Sequence, residues 1–216
     1  MTLLVCVDGI DLAGKSTLVR ALVAELQRRG RTARRHRGMM ARRHPLDRLL
    51  RHLSSARQPD SWLTTTAYLI GGFALDSLLV RGGRRKAKEV DVIIQDGGVD
   101  RTAAFGIAGG PYRAARVALR WPGVFARCDL AVHVTAGIET RAERLARRIA
   151  EGHHVDVRDH RAAGDAAFSA RFHSALAVMG RRHRRLIALD TTDRDPQEMA
   201  SELADRILAL PGDRRR

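Results

Sequence analysis

The sequence predicts an α/β protein built on a parallel five-stranded sheet flanked by helices. Short apolar runs alternate with helical patterns along the whole chain, the order that builds a parallel sheet covered on both faces. The first of those runs ends in a glycine-rich loop that opens straight into a helix. The 216 residues carry no internal repeat, low-complexity segment or linker, so residues 1–216 are expected to form one domain with a proper core.

Leu3, Leu4, Val5, Cys6 and Val7 make a short apolar run that reads as a buried strand. After it, Gly9-Ile10-Asp11-Leu12-Ala13-Gly14-Lys15-Ser16 fits the Walker A spacing G-x-x-x-x-G-K-[ST]. Leu18, Val19, Leu22, Val23 and Leu26 then recur at helical spacing, which predicts a helix from about Lys15 to Arg29 that stops at Gly30. Thr32 to His36 is a weaker second strand. Pro45 opens a helix lasting to about Ala56, and Pro59 breaks it. Ser61 to Val80 forms a longer helix capped by Asp60 or Ser61. Gly71 and Gly72 sit inside it, each costing about 1 kcal/mol against alanine, so the close approach of a neighbouring helix or of a ligand is expected there.

Val90 to Ile94 is the third strand, ending in Gln95-Asp96-Gly97-Gly98. A helix follows to about Arg120, broken at Gly109-Gly110-Pro111 and closed by Trp121-Pro122-Gly123. Leu130 to Val134 is the fourth strand and Ile138 to Ala150 a strongly basic helix. Leu186 to Leu189 is the fifth strand, Gln197 to Leu210 a final amphipathic helix, and Asp213 to Arg216 a frayed tail.

The formal net charge is +15, yet only Lys15, Lys86 and Lys88 of the 39 basic residues are lysines. The arginines are scattered and aromatic residues make up only 4%, so no basic surface with interleaved aromatic rings is indicated. The charge predicts salt-sensitive, nonspecific binding to nucleic acid. Cys6 and Cys128 have no zinc or disulfide spacing. With no apolar run of transmembrane length and a start that goes directly into a strand, a cytoplasmic protein without a membrane partner is expected. His153, His154 and His160 with Asp156 and Asp159 lack the companions of a metal motif and are not read as a metal site.

The glycine loop sets the chemical expectation. Its two glycines let backbone N–H groups turn inward around a triphosphate, and the following helix adds its dipole. Gly9, Asp11, Leu12, Ala13, Gly14, Lys15, Ser16 and Thr17 would line the donor nucleotide. Lys15 would reach its phosphates and Ser16 would bind Mg²⁺. Asp96, a carboxylate at the carboxyl end of a strand, stands where such sheets bind ligands. It would hold a Mg²⁺ water or accept a proton. Arg34, Arg35, Arg37, Arg42 and Arg43 bracket Gly38-Met39-Met40, either as a loop that meets an anionic substrate or as a solvated charge run.

The chain resembles the thymidylate kinase family of P-loop nucleoside and nucleotide kinases. Asp8 to Thr17 is similar to its E-G-x-[DE]-G-x-G-K-[ST]-T, and Asp96 to Phe105 to its D-R-Y-V-D-S-S-x-A-Y. Val134 to Arg148 resembles the strand and arginine-bearing helix that lead into the lid, here about residues 150–164. Asp156-Val157-Arg158-Asp159 with Phe168 and Arg171, and then Leu189-Asp190 with Asp195 to Glu198, resemble the remainder. The resemblance implies a P-loop kinase that uses ATP and Mg²⁺, with a nucleoside monophosphate or related small molecule as acceptor and a homodimer as a plausible assembly. It implies catalytic roles for Lys15, Asp96 and the arginines Arg144, Arg147, Arg148 and Arg158. Position 12 is Leu where some members carry an arginine, which moves the cationic role to the lid. Gly97 and Gly98 replace the family's acceptor-phosphate arginine and its aromatic neighbour. No arginine stands between Arg57 and Arg81 to read a thymine ring, and the R-E-P-G motif after the second strand is missing. A kinase for a modified nucleoside and a non-catalytic nucleotide-binding regulator are the alternative readings.

Overall fold

The structure, a computed structural model, describes residues 2–41, 44–52, 61–81 and 90–210. Arg42, Arg43, Lys86, Lys88, the break around Pro59 and the tail Asp213 to Arg216 lie outside the described residues. The strands are β1 (Leu3–Gly9), β2 (Ala33–His36), β3 (Val92–Asp96), β4 (Leu130–Thr135) and β5 (Leu186–Asp190). They form one all-parallel sheet in the order β2-β3-β1-β4-β5. Every residue of β3 is buried, as are Leu4 to Gly9 of β1, which is why both read as continuous apolar runs.

The helices are α1 (Lys15–Arg28), α2 (Asp47–His52), α3 (Trp62–Arg81), α4 (Val99–Gly109), α5 (Arg113–Arg120), α6 (Ile138–Ala150), α7 (Val157–Gly164), α8 (Ala166–Gly180) and α9 (Pro196–Leu208). They flank the sheet, with α1 packed on α9 and α4 packed on α8 and α5. Val7, Leu18, Leu22, Ile94, Val132, Phe172 and Leu203 belong to one buried cluster that ties the sheet to these helices. α8 lies outside the elements expected from the sequence. Its buried Phe168, Phe172, Ala175, Leu176 and Met179 nevertheless recur at helical spacing.

Ser61, one of the two expected caps, caps α3, and Asp60 lies outside the described residues: the Ser61 side chain accepts from the Thr64 N–H while the Thr64 side chain accepts from the Ser61 N–H. Ala67–Ala74 widens to π-helical geometry within α3. A Cβ on Gly72 would lie 2.5 Å from Met39 Cε and one on Gly71 3.3 Å from Leu46 Cδ1, so packing by neighbouring side chains accounts for the glycine pair. By length and composition α3 is apolar enough to cross a bilayer, contrary to the reading that no run of that length exists. A run interrupted by Thr, Gly and Asp escapes a search for uninterrupted apolar stretches. Within this fold, Asp76 of that helix is buried and accepts from the Met40 and Ala41 N–H groups at 2.9 and 2.7 Å.

Sheet register decides what meets at one edge. Val7 pairs with Asp96, His36 with Gln95, Gly9 with Val134 and Thr135 with Asp190. The carboxyl ends of all five strands therefore converge where the chain leaves β1, and the strand order reverses about β1 there.

Candidate functional site

The loop after β1 has an unusual backbone. Gly14, the N-cap of α1, lies at φ 76°, where glycine carries no steric penalty. Leu12 adopts φ 66°, the one left-handed non-glycine residue among those described. Gly14 brings no side chain to the opening turn of α1, an arrangement that leaves helix-start N–H groups to an anion. Gly9 is demanded by the sheet, because a Cβ there would lie 2.3 Å from the Val134 carbonyl oxygen.

Arg144 of α6 braces this loop. Its Nη1 donates to the Leu12 carbonyl at 3.0 Å and to Thr191 Oγ1 at 3.1 Å, and its Nη2 donates to the Thr191 carbonyl at 2.8 Å. Thr191 Oγ1 in turn donates to the Ala13 carbonyl at 2.9 Å. The strained Leu12 peptide is therefore tied from outside to α6 and to Thr191, the residue that follows β5.

Asp96 is the electrostatic centre. Lys15 Nζ donates to its Oδ1 at 2.9 Å, while Arg35 Nε at 2.8 Å and Arg37 Nε at 3.0 Å donate to its Oδ2. Burial alone would raise the Asp96 carboxyl, but the charge of Lys15 and the hydrogen bonds from Lys15 and Arg35 outweigh it and hold the group well below the usual carboxylate range. Gly97 follows at φ 77°, with Lys15 Nζ 3.8 Å from where its Cβ would be. Its left-handed turn suits glycine.

The other carboxylates are committed. Asp8 Oδ1 accepts from the Gly98 N–H at 2.9 Å and its Oδ2 from Cys6 Sγ at 3.1 Å. Burial first, then the neighbouring Asp100 charge, push the Asp8 carboxyl up. Asp11 pairs with Arg101 at 2.5 Å, and Arg101 Cζ lies 4.6 Å over the Phe105 ring.

The structure thus brings Lys15, Asp96, Asp11, Leu12, Ala13, Gly14 and Arg144 into one neighbourhood, with Ser16 and Thr17 exposed at the start of α1. The remaining candidate arginines stand apart from the Asp96 cluster. Arg147 is exposed, Arg148 pairs with Asp159 at 3.3 Å, and Arg158 pairs with Asp156 at 2.6 Å. Asp156 and Asp159 form the capping box of α7. Sequence reasoning grouped Arg35 and Arg37 with a charge run without assigning them to Asp96, and it missed Thr191. The position of Arg35 on β2, with Arg37 just past its end and in step with it, was the available signal. No protein-family model matches the chain, and no curated protein matches it at significant similarity.

Proposed function

We propose that the chain is an ATP- and Mg²⁺-dependent phosphotransferase with a P-loop fold of the thymidylate kinase-like type, and that its acceptor is a nucleoside monophosphate or a related small phosphate ester. One observation carries the reading. The glycine loop delivers Lys15 to the same carboxylate, Asp96, that also collects Arg35 from the neighbouring strand and Arg37 from just beyond its end.

Phosphoryl transfer needs alignment and charge neutralisation more than covalent chemistry. Lys15 and the opening turn of α1 supply positive potential for the donor phosphates, and Arg144 holds the loop that presents them. Arg35 and Arg37 supply two guanidinium forks for an anionic acceptor group. Ser16 and Asp96 offer oxygen donors, which fit a hard cation completed by phosphates and water. Mg²⁺ bound there would neutralise charge on the transferring phosphate.

The depressed Asp96 carboxyl is a poor proton acceptor at neutral pH. An acceptor that brings its own anionic oxygen needs no such base, whereas a neutral hydroxyl would benefit from one. Arg35 and Arg37, two guanidinium groups beside Asp96, favour an anionic phosphate ester over a free nucleoside. The direct test is phosphate transfer from Mg-ATP to a panel of nucleosides and nucleoside monophosphates, with Lys15→Ala as control. Lys15-dependent turnover of a monophosphate is expected. ATP binding without transfer to any acceptor would overturn the proposal in favour of a regulatory nucleotide-binding role.

A further inference from the structure

Residues 37–41 lead from β2 back into the core, outside any helix or strand. Gly38 turns the chain at φ 86°, and Met39, Met40 and Ala41 are then buried. Buried backbone N–H groups need partners. Those of Met40 and Ala41 find both in one side chain, since Asp76 Oδ2 accepts from the first at 2.9 Å and Oδ1 from the second at 2.7 Å.

Asp76 is a costly group for that task. It is buried in α3 and pairs with no cation among the described residues, so two N–H groups are all that offsets its burial. A buried carboxylate held on these terms is a weak source of stability. What it fixes is geometry, because two successive N–H groups meet two oxygens of one helical residue.

The same face of α3 shapes the loop again at Gly72, one turn before Asp76. A Cβ there would lie 2.5 Å from Met39 Cε, and the Gly72 carbonyl accepts from His44 Nε2 at 3.1 Å. From the other side, Gln95 Nε2 donates to the Gly38 carbonyl at 2.9 Å. Arg37 therefore projects from a segment clamped between α3 and β3. Arg35 is placed differently, inside β2 and in register with Ile94.

We propose that Asp76 is a positioning residue for Arg37: by holding Met40 and Ala41 it sets where that guanidinium stands against Asp96, whereas sheet pairing sets the place of Arg35. That Arg37 then meets an anionic acceptor rests on the phosphotransferase reading above; the positioning itself does not.

The test compares the wild type with Asp76→Asn and Asp76→Ser. The first keeps the side-chain shape but turns an NH2 donor toward one of the two N–H groups, and the second is smaller and keeps one oxygen. Each variant is assayed once circular dichroism shows it folded. The first readout needs no substrate: phenylglyoxal modification of individual arginines, located by peptide mass spectrometry. Arg37 should react about fivefold faster in both variants, the worth of about one net hydrogen bond, while Arg35 and Arg144 keep their wild-type rates. The second readout is kinetic. The acceptor KM should rise by a similar factor with the KM for ATP unchanged. Arg37→Ala should add nothing further in either background, and Arg35→Ala should add its full effect. A general loosening of the fold would speed all three arginines alike. Wild-type labelling of Arg37 in a folded variant, equal acceleration at Arg35 or Arg144, or full additivity with Arg37→Ala would overturn the proposal. If Arg37 labelling responds as expected and the wild type transfers phosphate to no acceptor, the positioning stands and the kinase reading falls.

Discussion

Asp96 ends β3 and Asp100 lies in the first turn of α4, and both carboxylates are fully buried among cations. The cations around Asp96 keep contact with solvent: the side chains of Lys15, Arg35 and Arg37 are 14, 30 and 58% exposed. The partners of Asp100 do not, with the Arg182 guanidinium at 3% and the His183 imidazole at 0%. Arg182 also donates to the Met179 and Ala126 carbonyls. His183 Nδ1 accepts from the Cys128 N–H at 3.0 Å, so its Nε2 carries the proton that meets Asp100 Oδ2 at 2.8 Å. His133 Nε2 stands 3.6 Å off, outside hydrogen-bond reach. Partners that touch water can leave for a ligand, whereas partners sealed in the core hold the fold. The first cluster is built for exchange and the second for permanence.

The largest expected effect breaks the permanent cluster. Asp100→Ala leaves Arg182 buried without its counter-charge and should lower the unfolding free energy by about 3–5 kcal/mol, read from urea denaturation. The same cluster sets a pH dependence. Burial alone would raise the Asp100 carboxyl, but the Arg182 charge, with His133 and His183 alongside, holds it far below its ordinary value. A carboxylate depressed in the folded state contributes stability that is present above its unfolded pKa of about 3.9 and lost as pH falls below it. Denaturation midpoints should therefore fall below about pH 4. Asp100→Asn should flatten that acid limb, and an unchanged limb would show that other carboxylates govern it.

Next in size is the exchangeable cluster. Lys15→Ala and Asp96→Asn should each reduce phosphate transfer by about 10²–10³-fold, the scale for losing one preorganised electrostatic contact. Stability should barely change, because the cations left behind can turn to water. An Asp96→Asn variant that unfolds as readily as Asp100→Ala would erase the distinction between the two clusters. Smaller still, Arg35→Ala should raise the acceptor KM by about tenfold or somewhat more, with kcat less affected, as expected for a charge-assisted hydrogen bond. Arg37→Ala should do less, since that side chain is the more exposed. Equal effects on the KM for ATP and for the acceptor would place both arginines on the donor side.

The two clusters also differ in how far the sequence discloses them. The glycine loop is a local pattern between a strand and a helix, and Asp96 announces itself by ending an apolar run. What joins Arg35 to Asp96 is strand register, His36 opposite Gln95, which no local pattern encodes. Asp100 is harder still. An acidic residue in a helix's first turn reads as an ordinary partner of the helix dipole, and its burial depends on Arg182, brought in from the far end of α8. The strand and helix order was legible for a similar reason to the loop, since each element carries its own period. α8 was missed although its period is present, because Ala, Ser and Gly dilute the apolar contrast along that helix.

The smallest effect concerns the loop that carries Lys15 to its partner. Leu12 at φ 66° bears a left-handed conformation that costs an L-residue about 1–2 kcal/mol. Glycine escapes that cost but adds unfolded-state entropy of about 0.5–1 kcal/mol, so Leu12→Gly should stabilise the protein by under about 1 kcal/mol. The strain is retained because Arg144 and Thr191 hold the Leu12 and Ala13 carbonyls, on the two peptides that follow it. If the brace works against that strain, Arg144→Ala should destabilise the wild type less than it destabilises a Leu12→Gly background, because only the wild type has strain to release. A double-mutant cycle measures the difference directly. Strict additivity would mean that Arg144 merely sits on the loop, and its part in presenting Lys15 would have to be given up.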